Sequence, residues 1–143
     1  MGYKWNPFTG TLDYVADAAI TVEDALSAKT LILEKIASEN VSALKALYLD
    51  TNTTCRHASN VSEIEGTVIG IALNSAIIGG NVRILVFGLL DDPFFNFTLN
   101  DRIFLGTNGE LINYQPVSGV LTGIGYGLGS GSIQISIDKP TIL

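Results

Sequence analysis

Glycine stands at every second position over residues 123–131, in the run Gly123-Ile124-Gly125-Tyr126-Gly127-Leu128-Gly129-Ser130-Gly131. No helix tolerates that density, because each interior glycine costs about 1 kcal/mol relative to alanine. In a strand, a period of two puts every glycine on one face and leaves the backbone there bare. Bare backbone lets another strand or a symmetry mate approach closely, as at a tight corner or a packed three-fold axis. A phosphate-cradling reading fails on spacing: the place that a dinucleotide loop's third glycine must take falls on Leu128, Ser130 or Ser132, and no helix pattern follows.

The same β signature runs back through the chain. Leu44, Leu47 and Leu49 surround Tyr48, Asp50-Thr51-Asn52-Thr53 is a turn, and Cys55-Arg56-His57-Ala58 returns as the second arm of a hairpin. After a polar loop over residues 59–65, Thr67-Val68-Ile69-Gly70-Ile71-Ala72-Leu73 reads as a buried strand. Gly79-Gly80-Asn81 turns it into Val82-Arg83-Ile84-Leu85-Val86-Phe87-Gly88, and the two are expected to pair. Asn108-Gly109 sits between the apolar runs Arg102-Ile103-Phe104-Leu105 and Leu111-Ile112-Asn113-Tyr114, the strongest short-range hairpin signal in the sequence. Residues 120–124 and 132–137 read as the last strands. The fold class expected is mainly β: an extended arm with a short helix, then a compact antiparallel β-barrel or sandwich. The division is an arm over 1–19, a connector over 20–39 and a β domain over 40–143.

The arm opens Lys4-Trp5-Asn6-Pro7-Phe8-Thr9-Gly10-Thr11-Leu12-Asp13-Tyr14-Val15 and holds the only tryptophan. Asn6-Pro7 and Thr9-Gly10 are turn dipeptides, so neither a helix nor a long strand is expected through it. Rings on such a segment supply apolar contact at low rotamer cost, which makes docking onto a partner the expected use. In the connector, Thr21 followed by Asp24 approximates a capping box, which favours a short helix ending near Ala28 and then a strand. The alternative is a helix running to Glu39, which would form a trimeric stem. Phe94, Phe95 and Phe97, in a loop after Asp91-Asp92-Pro93, are expected to enter the core or a subunit seam.

Composition excludes several functions. Net charge is −6 and the eight Lys and Arg are scattered, so the basic stripe that releases counterions from phosphate is missing and no nucleic-acid partner is expected. No apolar run reaches the roughly 20 residues of a membrane span, and the start lacks a signal-peptide pattern. A soluble protein made in the cytoplasm, with no membrane partner, is the expectation. Cys55 and His57, the only cysteine and histidine, lie two apart on one strand. They form a conceivable nucleophilic pair, but no third orienting group is legible. Asp91-Asp92 before a proline fits a turn cap better than a calcium loop, which spaces several oxygen ligands around a glycine. The expectation is therefore no enzyme, no catalytic residue, no metal and no cofactor.

The residues also carry a resemblance. The segment over residues 4–15 looks like one found at the start of tailed-bacteriophage virion proteins, fibre-like or head-attached. Glu39-Asn40-Val41-Ser42-Ala43-Leu44, Ala46-Leu47-Tyr48-Leu49-Asp50, Val68-Ile69-Gly70-Ile71-Ala72-Leu73, Val82-Arg83-Ile84-Leu85 and Leu105-Gly106-Thr107-Asn108-Gly109 resemble the small β domains of phage capsid-decoration and head-fibre proteins. The resemblance implies a structural virion protein made in the host bacterial cytoplasm. Trp5, Asn6, Pro7, Phe8, Gly10, Leu12 and Tyr14 would dock onto the major capsid protein or another virion protein. A homotrimer would use Phe94, Phe95, Phe97, Gly123, Gly125, Gly127 and Gly129 at its subunit interface. The alternatives are a tail-fibre or tail-spike adaptor and a carbohydrate-binding tip module.

Overall fold

The computed structural model describes residues 2–7, 10–14 and 30–143. Strands β1 (Gly2–Pro7) and β2 (Gly10–Tyr14) pair antiparallel, in a register running from Gly2↔Tyr14 through Trp5↔Leu12 to Pro7↔Gly10. The arm expected as one extended run therefore folds back on itself. The turn dipeptides act as strand ends: Pro7, which has no N–H to give to a ladder, closes β1, and Gly10 opens β2. Phe8 and the short helix expected near residues 20–28 lie outside the described residues.

The body begins with β3 (Leu31–Ala37), so over these residues the helical stem to Glu39 is overturned in favour of the strand. The β-rich run Thr30-Leu31-Ile32-Leu33 prevails because Leu31, Ile32 and Leu33 ladder onto β7, and the strand's far end, at Ile36 and Ala37, ladders onto β5. It is followed by β4 (Ala46–Leu49), β5 (Thr54–His57), β6 (Gly70–Ala72), β7 (Asn81–Asp91), β8 (Arg102–Leu105), β9 (Leu111–Ile112), β10 (Val120–Leu121), β11 (Gly123–Gly129), β12 (Ser132–Ser136) and β13 (Thr141–Ile142). No helix occurs among the described residues. The expected pairings form: β4 with β5 from Leu47↔His57 to Leu49↔Cys55, β6 with β7 at Ile71↔Leu85, and β8 with β9 at Phe104↔Ile112.

Nine of these strands make one sheet in the order β3-β5-β4-β6-β7-β12-β11-β8-β9. β3 also pairs antiparallel with β7, so the pairings β3-β5-β4-β6-β7 return to their start. The expectation of a purely antiparallel body fails at one place, where β3 and β5 run parallel at Ile36↔Thr54. That follows from the circuit: β5 is antiparallel to β4, and β3 fills the gap between β5 and β7 by the only edge left. The pair β10–β13 forms a separate small sheet.

Two apolar clusters result, and β4, β6 and β7 face both. One holds Leu47, Cys55, Ala72, Val82 and Ile84. The other holds Ala46, Ile71, Leu85, Ile103, Leu105, Ile124, Ile133 and Ile135. Neighbouring residues on one strand point to opposite faces, so Ala46 and Leu47, Ile71 and Ala72, and Ile84 and Leu85 divide between the clusters. All six are buried. This explains the unbroken apolar runs, since a strand covered on both faces has no solvent side to make polar. Burying each of the larger aliphatic side chains contributes about 1.5–3 kcal/mol.

The β8–β9 turn shows what glycine is needed for. Asn108 and Gly109 have φ of 52° and 77°, the left-handed pair that matches a two-residue hairpin to the strand twist. A Cβ on Gly109 would sit 2.7 Å from the Ala46 carbonyl oxygen, whereas one on Gly79, at φ 88°, would meet nothing within 4 Å. Gly79→Ala should therefore lower stability by about 1–2 kcal/mol from backbone strain alone. Gly109→Ala should lose a further ~1–3 kcal/mol from the clash. Chemical unfolding of both variants checks this, and equal losses would show that the turn does not press on Ala46.

Candidate interaction surfaces

The Cys55–His57 pair is built into the fold. Cys55 is fully buried, and burial, followed by the nearby negative charges of Asp50 and Glu39, pushes its thiol up to about 11. A thiol that stays protonated at neutral pH is a poor nucleophile. His57 is occupied at both ring nitrogens: Nε2 accepts from the Ser42 N–H at 3.2 Å, and Nδ1 faces Glu39 Oε2 at 3.3 Å. Glu39 also accepts the His57 backbone N–H at 2.9 Å and the Arg56 guanidinium at 3.1 Å. The carboxylate thus ties the chain leaving β3 to strand β5. No group of three or more His, Cys, Asp or Glu side chains that could hold a metal occurs among the described residues. No helix among them is long and apolar enough to cross a membrane.

Two of the surface grooves among the described residues carry exposed aromatic rings. The first, about 610 Å³, runs from Thr30, just ahead of β3, across β7, β12 and β11 on the face away from the core. Ladder pairing puts Leu31 beside Phe87, Phe87 beside Ser136, Leu89 beside Gln134 and Gln134 beside Tyr126. Leu31 is 51% exposed and Leu89 59% exposed, and Phe87 and Tyr126 are exposed too. Among the described residues no charged side chain lines this groove, whose remaining wall is Thr30, Gly88, Gln134 and Ser136. In a chain of net charge −6 an uncharged aromatic and aliphatic face has the composition of an interface centre. The sequence reading passed over it, because Phe87 and Leu89 sit in an apolar run whose buried and exposed members look alike.

The second groove, about 430 Å³, is lined by the loop after β7, by strand β9 with the residues flanking it, and by residues 43–45. The three phenylalanines divide here. Phe95 and Phe97 pack on the larger cluster with ring centroids 6.1 Å apart, while Phe94 is 87% exposed. Tyr114, 65% exposed, also lines the groove, and Lys45, Asn96, Glu110 and Asn113 supply the polar lining.

The glycine face of β11 is used within the chain. Gly127 donates to the Asp101 carbonyl and accepts from the Asn100 N–H, each at 2.8 Å, and a Cβ there would strike the Thr98 carbonyl oxygen. A Cβ on Gly125 would strike the Gln134 carbonyl oxygen of β12, and one on Gly123 would press 2.6 Å from Asp138 Oδ2. Gly129 is half-buried with open space around it. The close approach predicted from the spacing is made by a loop and a strand of the same chain. Of the residues expected to dock, Trp5, Asn6 and Pro7 fall on β1 and Gly10, Leu12 and Tyr14 on β2.

Glu39 gives a pH signature. Burial raises its pKa, but the His57 N–H and Arg56 guanidinium together outweigh that and hold it below its ordinary value. A carboxyl whose folded pKa is depressed adds stability above its unfolded pKa, and that stability is lost as pH falls through the folded pKa. Glu39→Gln should therefore destabilise the protein at pH 7 and flatten the loss of stability below about pH 4.5 in unfolding titrations. An unchanged acid slope would show that the carboxylate is not part of the tie.

No family model matches the chain, and no curated protein matches it. Among solved structures, this chain is similar to the head fiber gp8.5 N base of bacteriophage phi29, at 15% sequence identity and a TM-score of 0.49, over 75% of this chain and 94% of that one.

Proposed function

We propose that this chain is a structural virion protein of a tailed bacteriophage, an accessory capsid-decoration or head-fibre subunit that attaches through its N-terminal segment and associates as a homotrimer. The observation that carries the reading is the segment over residues 4–15, whose rings and turn dipeptides resemble those at the start of phage virion proteins. The groove with Phe87, Leu89 and Tyr126 supports the self-association, because charge depletion and aromatic enrichment mark the centre of protein interfaces. A structural role is also supported by the occupied ring nitrogens of His57 and the burial of Cys55, which suit this pair to packing better than to nucleophilic attack. The major capsid protein or another virion protein is the partner proposed for Trp5, Asn6, Pro7, Phe8, Gly10, Leu12 and Tyr14.

Deleting residues 1–15 should leave a folded body that no longer sediments with particles lacking the native protein. Continued co-sedimentation would overturn attachment through this segment. Light scattering of the full chain should give three times the 15.2 kDa of one copy. Leu89→Asp, at a position already exposed, should break the assembly down to single copies with little change in melting temperature. A trimer that survives this change has its seam elsewhere, and the phenylalanines and glycines of residues 94–97 and 123–129 are then the next to vary.

A further inference from the structure

We propose that the groove between Phe94 and Tyr114 binds a neutral saccharide. Both rings line the groove and are exposed, and the polar side chains around them are two amides, one carboxylate and one ammonium: Asn96, Asn113, Glu110 and Lys45. A pyranose presents an apolar C–H face that lies against an aromatic ring, and an equatorial belt of hydroxyls that both donate and accept. Amide and carboxylate groups answer that belt, because an amide offers both functions and a carboxylate accepts twice. Lys45 and Glu110 offset each other's charge, so the lining does not select a strongly charged ligand. The volume, about 430 Å³, lies within the range of small-molecule sites.

The exposure of Phe94 is imposed by a rigid loop. Its N–H donates to Asp92 Oδ1 at 2.9 Å, the Phe95 N–H donates to the Asp92 carbonyl at 3.1 Å, and Asp92 is itself held by the Gly131 carbonyl at 2.9 Å. Phe95 and Phe97 fix the loop on the core, so the Phe94 ring just ahead of them is presented in place before any ligand arrives. A site preorganised in this way loses little conformational entropy on binding. The lining at residues 43–45 is constrained as well, since Leu44 holds a left-handed φ of 67° that a leucine adopts only when its surroundings enforce it. An added peptide strand is the competing occupant. The sheet edge here is β9, only two residues long and followed by Gln115-Pro116, too short a template for strand addition.

The test uses the full chain and does not depend on attachment to a particle. Uniformly labelled protein is titrated with the neutral probes maltotriose and chitotriose, and backbone amide shifts are followed. The expected result is saturable, millimolar binding to at least one probe, with shifts confined to residues 43–45, 94–97 and 110–114. Phe94→Ala and Tyr114→Ala should each weaken it by about tenfold or more while the remaining spectrum stays folded. Leu89→Asp, in the other groove, should leave it unchanged. No saturable shift with either probe, shifts centred elsewhere, or undiminished binding by both alanine variants would overturn the proposal. So would saturation of the same residues by a proline-rich peptide alone.

Discussion

The whole body hangs on the pairing of β7. One of its edges carries β3, and the other carries β6 and then β12, so Ile84 is the ladder partner of both Leu33 and Ala72. The strand is shared between two apolar clusters as well as between neighbours, with Ile84 facing one and Leu85 the other. In the ladder order it joins the β3-β5-β4-β6 group to the β12-β11-β8-β9 group, which meet again at the β8–β9 turn, where Gly109 donates to the Ala58 carbonyl and accepts from the Ala46 N–H. Gly88, in the middle of β7, lies under the outer groove between Phe87 and Leu89, so the strand that joins the two cores also carries the apolar part of the outer face.

The two grooves differ in the way that distinguishes a protein seam from a small-molecule site. The one over β7 is broad, uncharged and lined by side chains that alternate outward from regular strands, a surface suited to covering by another flat surface. The one at Phe94 and Tyr114 is smaller and mixes rings with amides and charges on loops braced by the core. They use different strands, and Tyr126 and Tyr114 serve different faces. A protein can therefore assemble through one and keep the other free.

Local pairings were legible in the sequence because a local signal fixes each of them. Asn108-Gly109 set the β8–β9 hairpin, and Asp50-Thr51-Asn52-Thr53 set β4–β5. Non-local choices were not legible. Nothing in Leu31-Ile32-Leu33 says that the strand will run parallel to β5, since that edge exists only after β4 and β5 have paired. The strand read as Val82 to Gly88 runs on through Asp91, because Leu90 and Asp91 pair with Ile133 and Ser132, a partner that the local sequence Asp91-Asp92-Pro93 does not announce. The second groove draws on stretches that begin at Ala43, Phe94 and Glu110, so only its phenylalanines could be seen in advance, and Tyr114 and Lys45 had no signal. The glycine stripe gave the correct local geometry but not the neighbours, which are the loop at Thr98 for Gly127 and strand β12 for Gly125.

The placement of β3 has a mechanical consequence. Residues 1–29 join the body through this strand, which is laddered to β7 from Leu31↔Phe87 to Ile36↔Asn81 and anchored at its far end to β5. Tension drawn through the leader along the strand axis loads this ladder in shear, so its hydrogen bonds must fail together rather than peel one at a time. Under load, lifetime is governed by the rate of that cooperative rupture. The Glu39 tie to His57 and Arg56, just past the strand's end, works as a stop against slippage.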